Sequence, residues 1–282
     1  MSVETVGPVR RVRDPLSWRA ELGRQWGRRR TKVAFALVLA LPLILVAAFA
    51  FGDPPRPGAA PRFIDLAQDG SANFTLFTLF ASSELLLVLV AALFCGDSVP
   101  AEASWSSLRY LLIAPVRRAR LLTSKLVIGL ASTVAAAVLL VGWSLLVGGL
   151  AYGWAPLTSP TGESLTWGQL LPRLALALAY VFVTLLPTAA IAFWIGVRSD
   201  APLAAVGGAV LFTIVLNILD QIDALDPWRN AFPGHYNRAW QDIIALDPQW
   251  TAVTHGALWS LVWAVAFTML GYRRFRRADI LS

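Results

Sequence analysis

Six apolar runs decide what this chain can fold into: Val33–Phe51, Ala72–Cys95, Leu126–Tyr152, Leu174–Val197, Ala201–Leu219 and Thr251–Tyr272. Each is long enough to cross a bilayer core as a helix, which takes about 17–25 apolar residues. Five of the six hold no Asp, Glu, Lys or Arg; the exception is Glu84, near the middle of the second run. Backbone groups in hydrocarbon must be satisfied from within, so runs of this kind leave a helical bundle as the only architecture. The expected fold class is therefore all-α, a polytopic membrane protein with six transmembrane helices. Composition agrees, with 57% apolar and 15% charged residues and a mean hydropathy of +0.61. Too little polar surface remains to cover a water-soluble globule, and disorder is excluded on the same ground. Cys95 is the only cysteine, so an intrachain disulfide and a cysteine metal cluster are excluded as well.

Orientation follows from where Lys and Arg fall. Segments 1–32, 96–125 and 273–282, with Arg198, hold 19 of them, whereas 52–71, 153–173 and 220–250 hold five. By the positive-inside rule both termini are expected in the cytoplasm. The net charge of +7 is then topological rather than a nucleic-acid footprint, and the partner it implies is the lipid membrane. Trp154, Trp167, Trp194, Trp250, Tyr152 and Tyr272 fall near run ends, as interfacial anchors do. Ala48-Phe49-Ala50 resembles a signal-peptidase site, but the apolar run and the basic region before it are both too long for a signal peptide. The first span is expected to be retained. Residues 1–282 then form one transmembrane domain: an amphipathic segment 1–32, a six-span bundle 33–272 and a tail 273–282. The 22 Arg against two Lys point to a high-GC bacterial source and hence to the plasma membrane.

Four places outside the plain apolar runs invite function. Asp14–Arg30 reads as an amphipathic helix with Trp18, Leu22 and Trp26 at i, i+4 and i+8, suited either to anionic lipid or to a protein partner. In Gly96–Lys125, Ser98 and Pro100 signal a helix start and Pro115 its end. Trp105, Leu108 and Leu112 make an apolar stripe beside the polar Glu102, Ser106 and Arg109, and Arg117, Arg118 and Arg120 precede the third span. Such a helix is either a passive interfacial element or a lever through which a cytoplasmic machine moves the spans. Segment 220–250 gathers aspartates, aromatics and His235, with a short helix expected over Tyr236–Leu246. A metal reading using His235, the aspartates and His255 fits no standard ligand spacing, so a solvated loop with interfacial aromatics is the expectation. Glu84 is expected close to the bilayer midplane among Phe77, Phe80, Ala81 and Val88. There it serves either as a structural hydrogen bond to a neighbouring span or as a substrate contact in the path.

The stretch Glu102–Lys125 resembles the cytoplasmic loop of the ABC-2-type permease family, E-x-x-x-G-[ST]-L-x-x-L-L-x-x-P-x-x-R-x-x-x-x-x-x-K. It matches without a gap at Glu102, Ser107, Leu108, Leu111, Leu112, Pro115, Arg118 and Lys125, and departs at Ser106, where the family has Gly. The ending Tyr272–Ile280 is similar to the family's as well. The resemblance implies an exporter permease pairing with a second permease subunit around a translocation path, with a separate ATP-binding subunit beneath. It implies coupling through Glu102, Trp105, Leu108, Arg109, Leu112, Pro115 and Arg118, and docking through Trp18, Leu22 and Trp26, with Glu84 in the path. In that family short helices before the last span cap the outer end. The sequence contains no G-x-x-x-x-G-K-[ST] loop, so ATP and Mg²⁺ are expected on the partner and no cofactor or catalytic residue in this chain. Two other classes compete. An ion- or proton-coupled carrier working without an ATPase commonly shows paired repeats and several intramembrane ionisable groups. An integral membrane enzyme needs convergent His, Asp or metal-ligand motifs beside the spans. The apolar spans suit a hydrophobic drug, lipid or peptide, and Glu84 favours a cationic group on it.

Overall fold

A computed structural model describes residues 18–52, 63–98, 100, 118–158 and 163–277. Helix α1 (Trp18–Gly27) is followed by α2 (Arg29–Ala50), the short α3 (Phe63–Leu66), α4 (Ser71–Ser83) and α5 (Leu86–Gly96). Then come α6 (Arg118–Tyr152), α7 (Trp167–Arg198), α8 (Pro202–Leu219), the short α9 (Trp240–Ile244) and α10 (Thr251–Arg277). A two-residue antiparallel ladder, β1 (Leu157–Thr158) with β2 (Ser164–Leu165), lies between α6 and α7. Among the described residues, five helices are long and apolar enough to cross a membrane, and α4 with α5 makes a sixth crossing if the bent pair is one span. The chain is an all-α, multi-pass membrane protein.

Local chemistry sets most of the boundaries. Thr166 and Gln169 close a capping box at the start of α7, and Pro202 occupies the first turn of α8, where its missing N–H costs nothing. Helix α6 runs 35 residues, about 52 Å at 1.5 Å per residue, so it projects well beyond a hydrocarbon core of about 30 Å. The amphipathic N-terminal helix ends at Gly27 rather than at the expected Arg30, because Arg28 takes an extended conformation and Arg29 opens α2.

The second apolar run departs from expectation. It is not one straight helix: α4 and α5 meet at a 54° bend across Glu84 and Leu85. Ser82 Oγ and Ser83 Oγ donate to the carbonyls of Leu79 and Phe80, at 3.1 and 3.2 Å, drawing acceptors away from the regular ladder. Leu85 then leaves helical space at φ −126°, ψ −59°, and the ladder restarts with Leu89 N donating to Leu85 O. A polar run ending in a carboxylate has bent an otherwise apolar span.

Helix α7 is the hub. Its most apolar stretch buries 56% of its residues, against 17% for α2 and for α10, and it packs on α5, α8, α9 and α10. Lipid offers no hydrophobic drive for helices to associate, so close contact through small residues has to supply it. Ala91, Ala92, Ala136, Ala177, Ala189 and Ala205 are all buried in these seams. At Gly196 the backbone of α7 lies against the Gly96 carbonyl of α5 so closely that a Cβ would collide. Outward, Leu37 and Ile44 of α2, Leu203 and Leu211 of α8 and Leu258 and Met269 of α10 are exposed, the mark of a surface made for lipid or another subunit.

Candidate functional site

The bundle has two chemically different ends. At the first lie α1, the start of α2, the end of α5, the start of α6 and the ends of α7 and α10, so both ends of the described chain are on this side. Asp97, one residue past α5, is buried and takes Arg28 Nη1 at 3.3 Å and Arg30 Nη1 at 2.5 Å. Lys125, also buried, donates from Nζ to the Ser98 carbonyl at 3.3 Å. These contacts tie the chain just past α5 to Lys125 on α6 and bring the α1–α2 junction to the same point. A buried carboxylate beside two guanidiniums is stable only where its charge is matched, as it is here.

The expected coupling residues Glu102, Trp105, Leu108, Arg109, Leu112 and Pro115 lie outside the described residues. Arg118 opens α6, with its side chain outside the description. Of the docking stripe, Leu22 and Trp26 are 42% and 49% exposed, so the bundle leaves them largely uncovered; Trp26 rests against Phe35 with ring centroids 5.1 Å apart. The side chain of Trp18 lies outside the description.

The opposite end is built by 220–250, folded into short turns over Asp223–Leu225 and Trp228–Ala231 and then α9. The expected helix over Tyr236–Leu246 forms only as Trp240–Ile244, because Pro248 lies just beyond and Ala245 is extended. This cap is held on the spans by hydrogen bonds to its backbone. Tyr180 Oη donates to the Tyr236 carbonyl at 2.8 Å and Trp263 Nε1 to the Ala231 carbonyl at 2.8 Å. Arg173 Nη1 reaches the Ala245 carbonyl at 2.5 Å. His235 Nδ1 pairs with Asp220 Oδ1 at 2.6 Å, so its ring is tied within the cap, and His255 lies beside the Tyr236 ring. Arg229 bridges Asp226 and Asp223, each at 2.7 Å, and those two bonds raise its pKa.

Glu84 joins this end. The expected apolar surround is corrected, because a cation faces the carboxylate. The bend carries its carboxylate to Arg238 of the cap, Nε to Oε1 at 2.5 Å, with the guanidinium also over the Phe80 ring. The bond to Glu84 raises the Arg238 pKa. The sequence reading had no cation for Glu84 because Arg238 lies 154 residues away, in the segment before the last span. Beside the bend a small cleft of about 20 Å³ is lined by Ser83, Thr184, Thr188, Thr213, Asn217 and Asn237, among others. Thr188 and Thr213 share a hydrogen bond of 3.0 Å across it. A larger, apolar chamber of about 340 Å³ lies between Leu66, Leu76, Leu157 and Leu165 on one side and Trp240 and Ile244 on the other. Asn73 clamps its wall by exchanging two hydrogen bonds with the Thr158 backbone, at 2.9 and 3.0 Å.

Sequence reasoning missed Asp97. Its signal was legible: an acid two residues after an apolar run, on the side already assigned Arg28–Arg30. A sequence model of the family described as ABC-2 family transporter protein matches residues 27–217, more than half of the chain. No curated protein matches the chain.

Proposed function

Because this chain belongs to the ABC-2 family of transporters, and is therefore a membrane-spanning permease subunit of an ABC transporter, we propose that it works as an exporter driven by a separate ATP-binding subunit. ATP and Mg²⁺ bind on that partner, and the chain pairs with a second permease subunit, a copy or a homologue, through its exposed apolar faces. Its 282 residues act as one transmembrane domain in a bacterial plasma membrane, with the end that holds α1 and the close of α10 in the cytoplasm.

The observation that carries this reading is the tie across segment 99–124. Asp97 and Ser98 at its start and Lys125 at its finish are buried and bonded, so a displacement of the coupling residues between them passes directly into α5 and α6. The exposed Leu22 and Trp26 offer the ATP-binding subunit a second foothold beside the same junction. At the cap end, Glu84 and Arg238 close the path, and the hydroxyl-lined cleft next to them is its shut continuation.

Co-purification with an ATP-binding subunit, followed by vanadate-sensitive transport in vesicles, tests the proposal. Glu102→Arg, Trp105→Asp or Leu108→Asp should insert normally yet uncouple transport from partner ATPase, since losing one buried interface anchor commonly costs about 2 kcal/mol or more. Normal transport in all three would return the loop to a passive interfacial role. Reporter fusions at Ser98 and Ser282 should read cytoplasmic and those at Gly70 and Gly162 external; an external Ser282 would overturn the orientation.

A further inference from the structure

We infer that the termini end carries a groove for the phosphate of an anionic membrane lipid, built from Arg198, Arg273, Arg274 and Arg276 around Trp194 and Leu270. These six residues line an open cavity of about 1030 Å³ between the ends of α7 and α10. Among the described residues no carboxylate lines it. Asp200, two residues beyond Arg198, is exposed and stands outside the lining.

The inward face of α10 fixes where its arginines point. Tyr272 Oη shares a hydrogen bond of 2.7 Å with Thr123 Oγ1, and Phe275 is buried in a cluster with Leu122 and Phe193. Gly271 lies so close to the Phe193 ring that a Cβ would collide with it. At 3.6 residues per turn, holding 271, 272 and 275 inward turns 270, 273 and 274 outward, alongside the end of α7. There Arg198 lies over the Trp194 indole, 4.8 Å from its centroid. This contact holds its guanidinium beside the groove, and no ion pair consumes the charge of the neighbouring arginines among the described residues.

Charge that merely satisfied topology would need no concave lining and no indole floor. Guanidinium forks match phosphate oxygens two at a time, and basic pockets between spans hold anionic headgroups. A lipid, rather than a free phosphate, follows from the floor and from depth. Trp194 and Leu270 belong to the apolar parts of α7 and α10, whereas Arg198 is the last residue of α7. The groove therefore straddles the boundary at which a phosphodiester sits, with apolar surface below for the glycerol and the first methylenes.

The full chain, purified in detergent, is titrated with phosphatidylglycerol, phosphatidylcholine, glycerol 3-phosphate and inorganic phosphate, and bound lipid is counted by native mass spectrometry. The parent should retain phosphatidylglycerol selectively. The triple variant Arg198→Gln/Arg273→Gln/Arg276→Gln should bind it about tenfold more weakly, equivalent to about 1.4 kcal/mol. Arg10→Gln/Arg11→Gln/Arg13→Gln removes the same charge and should stay near the parent; both triples should elute as the parent does on size exclusion. Three results would overturn the inference: equal loss in the two triples, equal retention of phosphatidylcholine, or glycerol 3-phosphate or inorganic phosphate displacing the lipid at equal concentration.

Discussion

The two ends of the bundle are each held by an ion pair between a carboxylate from the second apolar run or its edge and a distant arginine, yet the pairs are not equivalent. Asp97 is 6% exposed and its partner Arg28 19%, whereas Glu84 is 41% and Arg238 63% exposed. Breaking a buried pair leaves a charge without compensation and costs about 3–5 kcal/mol, while an exposed pair contributes about 0.2–1 kcal/mol. The same chemistry thus makes a rigid joint at one end and a light, exposed tie at the other. On the function proposed above, in which the chain is driven from its termini end, that asymmetry has a use: force is transmitted where it enters and meets little resistance where the path opens.

The largest expected effect tests the rigid joint. Asp97→Leu should destabilise the chain by about 3 kcal/mol, the low end of the buried-pair range because Arg30 is half in solvent. Thermal unfolding in detergent should show a large fall in Tm, part of which is recovered when Arg28→Leu is added. Glu84→Leu should shift Tm far less. Equal shifts would mean that the two ends differ only in appearance.

Two glycines sharpen the comparison at intermediate size. Gly196 faces a backbone oxygen, that of Gly96, which cannot retreat without moving α5. Gly256 on α10 faces the Tyr180 hydroxyl and the Tyr236 Cβ, both on contacts that hold the cap. Overpacking costs about 1–3 kcal/mol where neighbours cannot give. Gly196→Ala should fall in that range, and Gly256→Ala should cost less because the cap can lift. Hydrogen exchange should then rise in 220–250 for Gly256→Ala and not for Gly196→Ala.

What the sequence made legible divides along the same line. All six apolar runs became helical, and five became single long helices, because length and the absence of charge suffice to specify a span. The second did not, because Ser82, Ser83 and Glu84 weigh little in a hydropathy average but compete locally for backbone acceptors. The exposed stripe of Leu22 and Trp26 was visible as periodicity. The Asp97 joint and the Glu84–Arg238 closure were not, since each unites residues 67 to 154 positions apart and periodicity carries no long-range pairing.

The smallest expected effect on stability, and the closest test of function, concerns Glu84. Glu84→Gln keeps the side chain's shape and one acceptor for Arg238 but removes the charge. Since the pair is exposed, a double-mutant cycle with Arg238→Gln should return a coupling energy below about 1 kcal/mol, and expression and assembly should be unchanged. If the pair closes the path, weakening it lowers the cost of opening. A gain of about 0.5 kcal/mol raises a limiting opening rate about twofold, because about 1.4 kcal/mol corresponds to a factor of ten. Transport by the reconstituted complex should therefore rise modestly for Glu84→Gln and for Arg238→Gln alike, with no further gain in the double variant. A carboxylate that instead contacts cationic cargo would behave differently: Glu84→Gln alone would lose such cargo, while Arg238→Gln would retain it or improve it. A coupling energy above about 2 kcal/mol would place this pair with Asp97 as a structural joint, and the cap end would then need another way to open.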